Sequence, residues 1–338
     1  MNSSMPIELL KDEVKQFIQQ VNPLFDTAKE EVLTNNLSRE ISFKDLGPAR
    51  YYYAGVEKEN DKYCITINNN YEQYLWGTCL YFLVYFDNMI QIPMMDKVGC
   101  NIHQYKTDCN AVKASLDVYA RARHLINNVD VKEQWQSPSL EKPGPLHNCI
   151  GKANGMYCGA IAFTYAHELA HNFLGHNTYQ SRGQEAKQEE LDADDTAIDF
   201  LLNHVPEFSD FTYKAGIVAS MASILCLDKD DVYQGDDHPY MDVRIDNAMQ
   251  KLALDERDNL WGLAAFAINA YLQCFNIISS EEIGKYSQME FDTYKDSYDY
   301  LLKQLSDYRK ATYPEVEPRD WEKEWPDKEA SEGNDNIK

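Results

Sequence analysis

Basic residues are scarce in this chain. Its 338 residues contain 32 Lys and Arg against 55 Asp and Glu, a formal charge of -23. Nucleic-acid affinity comes largely from cations that neutralise phosphates, so a polyanion partner is not expected. Long apolar runs are also missing. The longest, Ala215 to Leu227, is too short to cross a hydrocarbon layer, and no integral membrane span is expected. The opening MNSSMPIELLKDEVKQF joins no basic region to an apolar stretch and a small-residue cleavage site, so no signal peptide is expected either. The eight cysteines (Cys64, Cys79, Cys100, Cys109, Cys149, Cys158, Cys226, Cys274) are dilute, and no pair has CxxC spacing. Reduced, mostly buried thiols in a cytoplasmic protein are the simplest account. No internal repeat is present, which disfavours a solenoid.

What the chain does contain is enough apolar residue, 44% with 12% aromatics, to bury a large core. From Pro6 to Leu37 apolar residues recur at helical spacing, with Asn22-Pro23 as a break. Arg50 to Val56 and Tyr63 to Asn68 read as a β-hairpin, separated by polar residues 57–62. Tyr71 to Ile90 is long and aromatic-rich and reads as a buried helix, with a pair of core strands as the alternative. Ala111 to Asn127 is a further helix, and Ser137 to Gly151, with three prolines, is a loop. Gly159 to Leu174 predicts a helix stopped by Gly175, then a polar turn from Asn177 to Gly183 and a second helix from Gln184 to Asn203. Tyr213 to Leu227 and Leu260 to Ile278 are apolar helices, whereas the end from Pro314 is acidic and poor in aliphatics. The expected fold is a predominantly helical α+β protein. Residues 1–140 form an N-terminal helical region with the hairpin, 141–312 the catalytic core, and 313–338 an acidic mobile tail.

His167-Glu168-Leu169-Ala170-His171 is an HExxH sequence, and on a helix two imidazoles at i and i+4 project from one face, close enough to share one ion. Zn2+ is the expected cofactor. Glu168 lies about 100° round the helix from His167, which suits it to take a proton from a metal-activated water. Catalytic zinc normally takes three protein ligands and leaves one position for water. The next helix offers Glu190-Leu191-Asp192-Ala193-Asp194, in which Glu190 and Asp194 share a face with Ala197 and Leu201. Glu190 reads as the third ligand and Asp194 as an acceptor that orients a ligand histidine through its other ring N–H. The choice between Glu190 and Asp194 stays open, and without the neighbouring HExxH helix these acids would read as a solvated charged face.

His176 is not expected to be a ligand. The extended motif HExxHxxGxxH would need glycine at position 174 and histidine at 177, where this chain has Leu174 and Asn177. In the segment His238 to Arg244, a loop histidine, His238, and a nearby arginine, Arg244, are suited to stabilise a developing oxyanion. His147, Cys149 and Cys158 match no standard metal-finger spacing and receive no function.

HELAH followed by ELDAD on the next helix resembles a gluzincin metallopeptidase with a zincin-like core. In the HtpX and CAAX-prenyl-protease group, which is similar at Glu190, Asp194, His238-Pro239 and Arg244, the first acid of the second motif binds zinc and a later HP with a downstream Arg completes the site. That group is embedded in membrane, and this chain has no expected span. The ImmA/IrrE group is similar at HExxH but usually has Asn where this chain has Asp194. In length and in the position of HExxH, the preferred resemblance is to the phage-exclusion Lit peptidases, covering residues 157–204 with weaker support at 238–244. It implies an intracellular endopeptidase acting on a folded protein or peptide substrate; the alternative is a non-catalytic zinc-stabilised interaction protein. Oligomeric state is open.

Overall fold

The computed structural model describes residues 10–19, 37–50, 53–59, 62–97, 106–127, 144–176, 181–203, 210–227 and 238–312. The expected Asn22-Pro23 break, the tail 313–338 and most of the Asn177–Gly183 turn lie outside them. The expected α+β class, dominated by helices, is found.

Helix α1 (residues 10–19) buries Leu10, Val14 and Ile18 at helical spacing. A three-stranded sheet follows, comprising β1 (Leu37–Lys44), β2 (Ala54–Glu59) and β3 (Lys62–Asn68) in the order β1-β3-β2. β1 runs parallel to β3, and β2 pairs antiparallel to it with Ala54 opposite Ile67 and Val56 opposite Ile65. The hairpin was expected; β1 was not, because its short apolar pattern merges with the end of the helical opening.

Helix α2 (Asn69–Tyr85) starts where the Asn68 side chain accepts from the Asn70 amide at 3.0 Å. It is buried nearly all round and passes into a π-helical turn, Phe86–Gln91, and then α3 (Ile92–Lys97), so the alternative of two core strands does not hold. The wide turn has a visible cause. Asn88 donates to the Val84 carbonyl at 2.9 Å and accepts the Asp108 amide at 2.8 Å, inserting a side chain into the helical ladder while tying it to the start of α4 (Cys109–Ala122). The short α5 (His124–Asn127) ends that segment.

Helix α6 (His147–Leu174) is the axis of the molecule. It begins at His147, so the expected loop ends five residues before Gly151 and the expected helix start at Gly159 is 12 residues late. Gly151, Gly155 and Gly159 read as helix breakers, yet two of them serve packing against α8 (Asp210–Leu225). A Cβ on Gly216 of α8 would stand 2.6 Å from the Gly159 carbonyl carbon and the Ala160 nitrogen, so the two backbones touch. At its other end, α6 closes on Gly175 in the left-handed region at φ 72, as expected.

α7 (Gly183–Leu202) lies against α6 through the buried Ala193 and Ala197. α9 (Met241–Lys251) packs on α7 and α8, and α10 (Asn259–Cys274) on α8. α11 (Ser280–Gln288) and α12 (Tyr294–Thr312) complete the bundle. Residues 241–244 are the first turn of α9, so Arg244 is helical and His238 lies on the approach to that helix, before Pro239. The seven described cysteines are free thiols, and no described helix is long and apolar enough to cross a membrane.

Candidate metal centre

The HExxH turn lies near the C-terminal end of α6, facing the middle of α7. Helical spacing sets His167 Nε2 and His171 Nε2 3.2 Å apart, and α7 brings Glu190 to both: Oε2 is 3.5 Å from His167 Nε2 and Oε1 is 3.5 Å from His171 Nε2. All three side chains are buried, and they form the one metal-capable cluster among the described residues, with ligand atoms within 4.8 Å of one another. His147, Cys149 and Cys158 are not brought together.

The residues fit a tetrahedral cation. Ligand atoms about 2.1 Å from an ion at the tetrahedral angle are separated by about 3.4 Å, the spacing that these three already have. Glu190 Oε2 is buried without a hydrogen-bond partner. His171 Nδ1 sits 3.0 Å from His176 Nδ1, and His167 Nδ1 sits 2.8 Å from Asp194 Oδ1, a contact too poorly aligned to count as a full hydrogen bond. With those outer nitrogens carrying protons, the two Nε2 lone pairs point at each other, and a cation or a proton must lie between them.

Asp194 is held in turn by Arg244. The guanidinium donates Nε to Oδ2 and Nη2 to Oδ1, each at 2.8 Å, and its Nη1 stands 3.2 Å from Glu190 Oε2. Arg244 and Asp194 are 3% and 2% exposed, so the cation is committed to these carboxylates rather than to solvent. His238 lies at the rim, its side chain 48% exposed and its Nδ1 3.4 Å from Glu190 Oε1.

The charges perturb one another strongly. Burial opposes charge on His167, but Asp194 and then Glu190 outweigh it and raise its pKa to about 10. For Glu190 and Asp194 burial works against ionisation, yet Arg244 and the histidines hold both carboxyls below their ordinary range. Glu168 goes the other way, raised chiefly by burial despite His167 and His171. That shift moves a carboxylate towards the basicity a general base needs.

Two participants were not foreseen. His176, expected at the rim, contacts the outer nitrogen of His171, and burial and that neighbour lower its pKa. Tyr53, immediately before β2, is half-buried with its ring 5.4 Å from that of Tyr71. Burial raises its phenol, with Arg244 opposing and Glu190 and Glu168 adding, so the hydroxyl shares the field of the cluster. It makes no hydrogen bond among the described residues. No local motif marks either residue.

No curated protein and no solved structure matches the chain. A family model described as Peptidase U49 matches residues 65–264, more than half of the chain, from the central strand through α10 to Ala264, and the span contains every residue of the cluster. With a buried, metal-capable His-His-Glu centre inside the matched region, the chain belongs to the peptidase U49 family.

Proposed function

We propose that this peptidase is a zinc-dependent endopeptidase of gluzincin type, in which His167, His171 and Glu190 hold the ion and Glu168 is the general base. The observation that supports it most is the three-way spacing of 3.2, 3.5 and 3.5 Å among two imidazoles and a carboxylate, with a second, higher-pKa carboxylate beside them. A bound zinc ion would supply the Lewis acidity that makes water nucleophilic near neutral pH and polarises the scissile carbonyl. Glu168 takes the proton released as water adds to that carbonyl and returns it to the departing amine nitrogen, so the C–N bond breaks without a charged amide leaving. Asp194 keeps His167 oriented, and Arg244 fixes Asp194 and Glu190 together. His238 at the rim and the Tyr53 hydroxyl are the donors suited to the oxyanion.

The resemblance to the Lit peptidases supports a selective endopeptidase acting inside the cell on a folded host protein in phage exclusion. The test is metal analysis of wild type, Glu190→Ala and Glu168→Gln, with cleavage of labelled casein by the same samples. One zinc per chain, lost in Glu190→Ala and kept in an inactive Glu168→Gln, is the expected result. Zinc retained by a Glu168→Gln protein as active as wild type would remove Glu168 from the mechanism. Zinc in a wild type that cleaves neither casein nor any protein of a cell lysate would favour an interaction protein.

A further inference from the structure

Helix α12 lies beyond the residues matched by the family model, yet it reaches back to the helix that carries Arg244. Near its C-terminal end Arg309 donates Nε to Asp242 Oδ2 at 3.0 Å, and Ser306 donates its hydroxyl to the same oxygen at 2.7 Å. The Arg309 guanidinium also lies over the Tyr240 ring, 4.2 Å from its centroid. Asp242 and Arg309 are 2% and 6% exposed. A charge pair buried this deeply is weak evidence for stability, because desolvation offsets most of the attraction. What it holds in place is more informative.

Tyr240 is the N-cap of α9, and its carbonyl accepts the Val243 and Arg244 amides at 3.0 and 3.1 Å. Asp242 and Arg244 are two residues apart, about 200° round the helix, so they face opposite sides. One side meets α12; the other meets Glu190 and Asp194. Among the described residues Asp242 Oδ1 and Arg309 Nη1 have no hydrogen-bond partner, so the ion pair is joined through one arm of the guanidinium. The stack on Tyr240 supplies the second point of attachment.

We propose that Arg309 is a positioning residue of the active site: with Ser306 it clamps the first turn of α9 and thereby sets Arg244 on Glu190 and Asp194 and His238 on Glu190. The inference rests on the peptidase reading only for its activity readout. A lysine at 309 would restore the charge but neither the planar stack nor the Nε donor, so it should rescue only in part.

The test uses full-length wild type, Arg309→Ala, Arg309→Lys and Ser306→Ala, and places Arg309→Ala also in an Arg244→Lys background. Amide exchange is followed at Val243 and Arg244 and across α6 and α10, beside kcat and KM on labelled casein. In Arg309→Ala the two α9 amides should exchange about 10-fold faster while α6 and α10 are unchanged. Its kcat should fall about 10- to 100-fold with KM little altered. Arg309→Lys and Ser306→Ala should fall between, and Arg309→Ala should cost little more once Arg244 is Lys, because the group to be positioned is already gone. Unchanged exchange at Val243 and Arg244, loosening spread equally over α6 and α10, or the same loss in both backgrounds would overturn the proposal. A wild type that leaves casein intact while Arg309→Ala still loosens the α9 turn alone would count against the peptidase reading and leave the clamp standing.

Discussion

Arg244 grips Asp194 with two parallel hydrogen bonds of 2.8 Å, and the same Asp194 stands 2.8 Å from the outer nitrogen of His167. The carboxylate is thus a joint between a buried cation on α9 and a candidate ligand histidine on α6. Removing it leaves Arg244 with only the Glu190 contact at 3.2 Å. Asp194→Ala should therefore cost about 3 kcal/mol of stability, the range for breaking a buried pair by deleting one partner. It should also weaken metal affinity about 10- to 100-fold by freeing the His167 ring. Urea unfolding and chelator competition measure the two effects; a loss in one without the other would break the link between them.

Among the described residues the Tyr53 hydroxyl has no hydrogen-bond partner, whereas its ring packs on Tyr71. Tyr53→Phe should leave the unfolding midpoint unchanged and lower kcat about 10²- to 10³-fold, the usual loss on removing one oxyanion donor. A KM rise at constant kcat would instead assign Tyr53 to substrate binding.

The pH dependence of the metal-free protein follows from His167. Its folded pKa, raised to about 10, lies above the ordinary value of 6.5, so protonation stabilises the fold fully below about pH 6.5. That contribution is lost as pH rises towards 10. After chelator treatment, the urea midpoint should fall between pH 6 and pH 9, and Asp194→Ala should flatten the slope. Metal and proton compete for the same nitrogen, so metal affinity should move the opposite way and rise with pH. A midpoint that climbs over this interval would contradict the assignment.

Much of the centre was legible because its signals are local. HELAH and ELDAD each lie within one helical turn or so, where spacing dictates which side chains share a face, and Gly175 ends α6 as a left-handed cap should. His238 and Arg244 were read from their side-chain chemistry and supported by the resemblance, but nothing within 238–244 says what they face. Tyr53 and His176 were missed for a different reason. Tyr53 is 114 positions before His167 and arrives through the packing of the sheet on α6, a long-range event that leaves no periodic trace. β1 was lost to its short pattern. The first three turns of α6 were hidden by glycines at 151, 155 and 159, which propensity reads as a loop and helix packing reads as a shallow face.

That shallow face makes the last prediction. Gly159 and Gly216 let α6 and α8 approach until their backbones touch, and a Cβ at 216 would meet main-chain atoms at 2.6 to 2.8 Å, which no side-chain rotation can relieve. Gly216→Ala must therefore push the helices apart and should destabilise the protein by about 1–3 kcal/mol, as overpacking does. Gly151 on α6 provides the control, because a Cβ there meets nothing within 4 Å and its residue is exposed. Gly151→Ala should be neutral or stabilising by about 0.5–1 kcal/mol through helix propensity alone. Opposite shifts in the thermal midpoint of the two variants would attribute the effect to helix contact; a loss of similar size at both positions would mean that replacing a helical glycine is costly whether or not a neighbouring backbone is close.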